Sequence, residues 1–274
     1  MTQTPTIRLA AIADLNAAPL THGLRHDPLP PWLAVEFLAP AGCADALRSG
    51  AADAALLSAV EYQRQPGLAI LPGLAIASPA GVRSVRLACR TELPAVRRIG
   101  VTRRSRSSVA LLRVLLEHFL GIPAECAPFD SLEEAWTTGD AVLLIGDEAL
   151  TAALPGSRDV DLAALWHRFT GLPFVFAFWA VRRELDAAAL LPVLEASREA
   201  GRARREEIVR EFSPRLGLPE ADIRDYLDRD LAYGLGEREL QALRLFYDLC
   251  AARGILAAPR DLEFARVERD IFQD

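Results

Sequence analysis

Short apolar runs alternate with amphipathic stretches from the start of the chain. Ile7–Ile12 and Leu33–Leu38 have the length and composition of strands, whereas Ala17–Arg25 and Gly42–Ser49 carry apolar residues at helical spacing, the second stopping at Gly50. Asp53–Ser58 predicts a buried strand, Val60–Arg64 a helical turn, and Leu68–Ser78 with Ser84–Cys89 two further extended segments. From Arg98 the alternation restarts with strand Ile99–Thr102, a polar loop, helix Ser107–Phe119, strand Ala124–Ala127, helix Leu132–Thr137 and strand Ala141–Ile145. Phe174–Val181 is the last strand the pattern predicts. Beyond it, Leu185–Phe212, Glu220–Leu231 and Glu237–Arg253 read as helices, broken by Pro214, Pro219 and the Gly234/Gly236 pair.

Strands and helices alternating in this way predict an α/β protein, and the restart in mid-chain predicts two lobes. Residues 1–88 form the first part of lobe one, 89–180 form lobe two, and 181–274 return to lobe one with the C-terminal helices. A chain that leaves one lobe and comes back to it places a ligand cleft between the two. There is no internal repeat of solenoid period and no low-complexity linker.

Composition narrows the function. With 274 residues, 51% of them apolar and 25% charged, the chain can bury a large core as an ordinary globular protein. A net charge of -6 gives no reason to expect nucleic acid as a partner, and no apolar run approaches the roughly 20 residues of a membrane span. Met1–Thr6 is short and polar, without the basic and apolar regions of a secretory signal, so a cytoplasmic location is expected. Cys43, Cys89, Cys126 and Cys250 form no CxxC pair, and His22, His26, His118 and His167 show no metal spacing, so neither disulfide nor metal is expected. All 31 basic residues are Arg. Without Lys, a Schiff base to pyridoxal phosphate or a keto substrate is excluded, and so is a Walker A loop.

Polar clusters sit where strands give way to helices. Asp14-Leu15-Asn16 follows the first strand, with Asn16 in position to cap a helix. Thr102–Ser108 sets hydroxyls and three arginines before the strongest helix, a pattern suited to an acidic small molecule. Within it, Arg103 and Arg104 also read as a solvated basic loop. Arg83-Ser84 precedes a strand that crosses toward lobe two, and Asp147 follows a buried strand as either a helix cap or a cleft residue. Thr170–Ala177 sets a Gly-x-Pro turn against an aromatic strand that can wall a pocket for a flat ring.

In order and spacing, Asp14–Leu20, Ser58–Tyr62, Arg83–Val85, Ser105–Val109, Leu144–Leu150 and Thr170–Ala177 resemble the chorismate dehydratases of the futalosine route to menaquinone, over most of residues 7–182. Where that family more often has Tyr-Leu-Asn and Ser-Arg-Thr-Ser, this chain has Asp14-Leu15-Asn16 and Ser105-Arg106-Ser107-Ser108. Ser107 keeps the hydroxyl, whereas an inward-facing Asp14 adds negative charge near a dianionic substrate. The resemblance implies a two-lobed type 2 periplasmic-binding-protein-like fold and cofactor-free dehydration of chorismate to 3-[(1-carboxyvinyl)oxy]benzoate. On that reading Asn16 and Ser84 are the catalytic pair. Ser105, Arg106, Ser107, Ser108, Asp147, Gly171 and Phe174 bind substrate, and a substrate carboxylate serves as base. Other readings are the sister 1,4-dihydroxy-6-naphthoate synthase acting on cyclic dehypoxanthine futalosine, or a non-enzymatic small-anion binding protein. The exposed faces of the C-terminal helices leave room for a homodimer.

Overall fold

Hydrogen bonding gathers the apolar runs into two five-stranded sheets in this computed structural model, which describes residues 6–267. Met1–Pro5, most of the segment bearing on a signal sequence, lies outside the described residues. The first sheet contains β1 (Ile7–Ile12), β2 (Leu33–Leu38), β3 (Ala54–Ser58), β4 (Leu68–Ser78) and β10 (Phe174–Arg182), in the order β2-β1-β3-β10-β4. β1 is parallel to β2 and β3, and β10 is antiparallel to β3 and β4. The second contains β5 (Val85–Cys89), β6 (Arg98–Val101), β7 (Glu125–Pro128), β8 (Ala141–Ile145) and β9 (Arg158–Asp161), in the order β7-β6-β8-β5-β9. Here β6 is parallel to β7 and β8, and β5 is antiparallel to β8 and β9.

β5 and β10 have each just crossed from the other sheet, and in each sheet the arriving strand runs antiparallel to its neighbours. β5 therefore belongs with the second sheet and β10 with the first, so divisions after residues 88 and 180 both cut a strand. An apolar run carries no mark of which sheet it will join. β3 and β8 are buried at every position, as central strands covered on both faces must be.

The first helices match their pattern: α1 (Ala18–His26), α2 (Pro40–Ser49), which ends at Gly50, and α3 (Ala59–Arg64). α4 (Arg106–Val114) continues into a π-type turn over Leu115–Leu120. α5 (Leu132–Thr138) follows, then α6 (Gly146–Thr151) and α7 (Leu162–Thr170). β9 and α7 had no predicted counterpart, because Arg158-Asp159-Val160-Asp161 offers a single apolar side chain and pairs only as a sheet edge. The long helix expected over Leu185–Phe212 is two, α8 (Leu190–Ala203) and α9 (Arg205–Leu216). Pro214 does not break α9: it sits in the last turn, where losing one N–H bond is tolerated, and the helix stops at Gly217. α10 (Glu220–Arg229) and α11 (Glu237–Ala252) complete the return.

Two contacts fix the site's framework. α8 meets α1 at Gly201, where an added Cβ would lie 2.2 Å from the Pro19 carbonyl oxygen. Ser197 of α8 also accepts from the Leu24 N–H at 3.0 Å and donates to the Leu20 carbonyl at 2.9 Å. Trp166 of α7, Phe174 of β10 and Phe246 of α11 pack edge to face, which ties the crossing strand to helices on either side in sequence.

Candidate active site

The carboxyl ends of β1 and β3 from one sheet and of β6 and β8 from the other approach a common cleft. Its walls are Ile12, Asp14, Asn16, Pro40, Ser58, Ile76, Ser84, Val85, Ser105, Ser108, Ile145, Gly146, Phe176, Ala177 and Leu231, around a space of about 30 Å³. That is roughly one water's share of liquid volume. The lobes are closed on each other, and a larger ligand enters only when they part.

After β1 the chain makes a single 3-10 turn, Leu15–Ala17, before α1. Asn16 does not cap that helix: no side chain caps the α1 N-terminus, and Asn16 Oδ1 is buried without a hydrogen-bond partner. A buried polar atom left unpaired costs on the order of 1–3 kcal/mol, so this arrangement is retained at a cost that a ligand can offset. Across the cleft, Ser105 caps α4, its Oγ accepting from the Ser108 N–H at 3.3 Å and donating to Ser108 Oγ at 3.0 Å. Two hydroxyls, free N–H groups and the positive end of the helix dipole thus meet at one wall. Ser84, just before β5, is 1% exposed and accepts a 2.7 Å hydrogen bond from Tyr226 Oη of α10.

Carboxyl groups dominate the junction between lobes. Asp147 Oδ1 accepts from the Leu15 N–H at 2.8 Å, and Arg104 donates to Asp14 Oδ1 at 3.0 Å, each bond joining elements of different sheets. Asp14 Oδ2 is buried and unpaired, and Gly146, with φ 59°, brings its backbone so close that an added Cβ would lie 2.5 Å from that oxygen. Burial raises the Asp14 pKa, opposed by Arg104 and Arg215. Burial also pushes Asp147 up to about 6, helped by the charge of Asp14. Asp14 does face inward, then, but burial favours its neutral form and Arg104 offsets its charge.

Five of the seven expected substrate contacts lie outside the cleft lining, Asp147 among them, its Oδ1 taken up by the Leu15 N–H. The Arg106 guanidinium bonds Asp45 and Glu61, at 2.8 Å and 3.2 Å, away from the cleft lining. Ser107 Oγ accepts from the Val60 N–H at 3.1 Å and so joins α3 to α4. Gly171 is the exposed C-cap of α7, and its carbonyl accepts from Arg238 at 2.7 Å. Phe174 belongs to the aromatic core, and the neighbouring Phe176, its ring centroid 4.8 Å away, lines the cleft instead. Arg103 and Arg104 are both exposed, as a solvated basic loop would be, but whereas Arg103 lies beside Asp130, Arg104 also reaches Asp14 at the cleft. Tyr226 and Leu231 come from the C-terminal return and carry no local sequence signal at all.

A larger cavity of about 420 Å³ adjoins Leu15 and Tyr226 and is lined in part by Arg83, Arg86, Asp159, Asp161 and Asp222. Arg83 is already held by Asp230 and Asp225, and Arg86 by Asp159. With its arginines paired and three aspartates in its wall, that space is poorly suited to a dianion, and the hydroxyl-lined cleft is the better anion site.

A family described as menaquinone biosynthesis matches residues 7–252, which includes every strand and helix that builds the cleft. The chain belongs to the menaquinone-biosynthesis family. Consistent with this membership, a protein of Thermus thermophilus named chorismate dehydratase is 35% identical over 263 residues, covering 89% of this chain and 94% of that protein. A Campylobacter jejuni protein of the same name is 33% identical over 115 residues, 41% of this chain and 50% of its own. Among solved structures, Archaeoglobus fulgidus protein AF1704 superposes with a TM-score of 0.76 at 19% identity, over 93% of this chain and 100% of that one. The alkanesulfonate-binding protein SsuA of Xanthomonas axonopodis pv. citri, bound to MOPS, gives 0.65 at 16% identity, over 93% and 96%. At these identities the likeness is one of fold, and this family member has the two-lobed periplasmic-binding-protein-like fold that its motifs implied.

Proposed function

We propose that this protein dehydrates chorismate to 3-[(1-carboxyvinyl)oxy]benzoate. The reading is carried by the pairing, inside one closed cleft, of an unpartnered Asn16 Oδ1 with a serine-capped helix N-terminus opposite. The menaquinone family and the dehydratase name of its 35% identical relative support the same chemistry.

The reaction removes the ring hydroxyl and the proton on the adjoining ether carbon, and aromatisation supplies the driving force. The protein's task is to hold the ring and manage two proton transfers. Ser105, Ser108 and the first N–H groups of α4 hold one carboxylate, while Asn16 and Ser84 orient the departing hydroxyl and the ether. A substrate carboxylate accepts the ring proton. Burial raises the Asp14 pKa against the pull of Arg104, and in its protonated form Asp14 delivers a proton from its unpaired Oδ2 to the hydroxyl as it leaves as water. The proton taken up by the carboxylate then restores Asp14. Substrate entry breaks the Leu15–Asp147 and Arg104–Asp14 ties, and closure reforms them around the ligand. A cytoplasmic setting suits the four free cysteines, and no helix among the described residues is long and apolar enough to cross a membrane.

Purified protein incubated with chorismate alone should convert it to a product lighter by one water, detected by mass spectrometry. Asn16→Leu should lower turnover at least a hundredfold with unchanged circular dichroism, in the range seen when one transition-state donor is removed. Unchanged chorismate with folded protein would overturn the reading and direct the same assay to cyclic dehypoxanthine futalosine, the substrate of the sister enzyme, or to binding without turnover.

A further inference from the structure

Outside the cleft lining, α1 and α9 bring two histidines and two carboxylates into register. His22 and His26 stand one turn apart on α1, ring centroids 4.4 Å from each other, and Glu207 and Glu211 stand one turn apart on α9. His22 Nε2 lies 3.4 Å from Glu207 Oε2, and His26 Nε2 lies 3.2 Å from Glu211 Oε2. One donor atom from each of His22, His26 and Glu211 falls within 4.8 Å of the others. The i,i+4 spacing of the histidines, unremarkable in the bare sequence, becomes a donor set once α9 packs against α1.

We propose that His22, His26 and Glu211 form a binding site for a divalent transition-metal ion of the Zn²⁺ class, with Glu207 beside it as a further oxygen donor. Two imidazoles and a carboxylate suit such an ion, and bonds of about 2.0–2.2 Å in tetrahedral array need donors about 3.3 Å apart. The donor atoms, within 4.8 Å of one another here, would draw together as the ion binds. His22 is 3% exposed and so anchors the site, while Glu207, 51% exposed, leaves it open to solvent. The flanking cations are engaged elsewhere: Arg204 bonds Asp27 at 2.5 Å, Arg25 lies over the Phe37 ring at 4.0 Å, and Arg215 over Phe212 at 4.8 Å. A bound ion would clamp α9 to the helix that begins beside Asn16.

Titration of the full-length, chelator-treated protein with Zn²⁺ in a calorimeter, alongside thermal denaturation, tests this without reference to catalysis. One Zn²⁺ should bind per chain, raising the unfolding midpoint by roughly 5 °C at a hundredfold excess over Kd, with no response to Mg²⁺. His26→Ala and Glu211→Gln, at partly exposed positions, should each weaken binding at least tenfold while leaving the metal-free midpoint near that of the parent. Wild-type protein that takes up no Zn²⁺ at micromolar concentration overturns the assignment. Equally tight binding by both variants does so too, since it places the ion away from these side chains.

Discussion

Asp147→Asn removes a charge that the closed cleft is badly placed to hold. Burial and the nearby Asp14 carry the Asp147 carboxyl from its ordinary 3.8 to about 6. Between those values the folded protein holds a proton that the unfolded chain has released, so this group makes stability fall as pH rises through the window. Below about pH 4 Asp147 is protonated in both states and contributes nothing; above about pH 6 it is ionised in both, and the native state bears the full cost. At about 1.4 kcal/mol for each tenfold change in proton affinity, that cost is about 3 kcal/mol, an order of magnitude set by burial. Asn cannot ionise, yet its Oδ1 still accepts the Leu15 N–H bond that measures 2.8 Å in the parent. The variant should therefore match wild type near pH 4 and exceed it by about 2–3 kcal/mol at pH 7.5, read by urea denaturation followed through tryptophan fluorescence. Ion-paired carboxylates such as Asp53, whose pKa is lowered by Arg8, titrate in both proteins with the opposite sign and cancel in the difference. A stability difference that stays flat from pH 4 to 7.5 would refute the assignment of Asp147 as the strained charge at the lobe junction.

Gly201→Ala should cost about 2 kcal/mol in thermal or urea unfolding, because the new Cβ, 2.2 Å from the Pro19 oxygen, forces α8 off α1 and outweighs the roughly 1 kcal/mol helix preference for Ala. Gly42→Ala is the control: its Cβ would meet only the Leu38 side chain at 3.3 Å, and its effect should stay within about 0.5 kcal/mol of zero. Equal stability of the two variants would count against the close helix crossing. Tyr226→Phe removes the buried donor to Ser84 Oγ and should lower stability by about 1 kcal/mol and kcat/KM for chorismate at least tenfold; full activity would remove Ser84 from the site. Arg106→Gln should destabilise the fold, since Glu61 is only 1% exposed, yet leave KM within about threefold of the parent. A KM raised tenfold or more would place Arg106 in the cleft after all.

Local pattern was enough for most elements of the two sheets. Fully buried β3 and β8 announce themselves as unbroken apolar runs, and Gly50 ends α2 because its φ of 81° suits residues without a Cβ. The same logic pointed to Asn16, Ser105 and Ser108, which line the cleft because polar residues at strand-to-helix junctions lie at the carboxyl ends of parallel strands, whereas Ser84 reaches it from the amino end of antiparallel β5. It missed β9, whose polar edge earns its place by pairing with β5, and it merged α8 with α9, where packing rather than composition decides the break at Arg204. Nor could it know that Arg106 and Ser107 would be taken up by Glu61 and Val60, that Phe176 and not Phe174 would reach the cleft, or that Tyr226 would return to Ser84 from 142 residues away. Those outcomes depend on which distant partner satisfies a charge or fills a space. Periodicity and junction chemistry are properties of neighbours in the chain, whereas side-chain pairing, burial and the pKa of Asp147 are set by neighbours that only the folded lobes bring together.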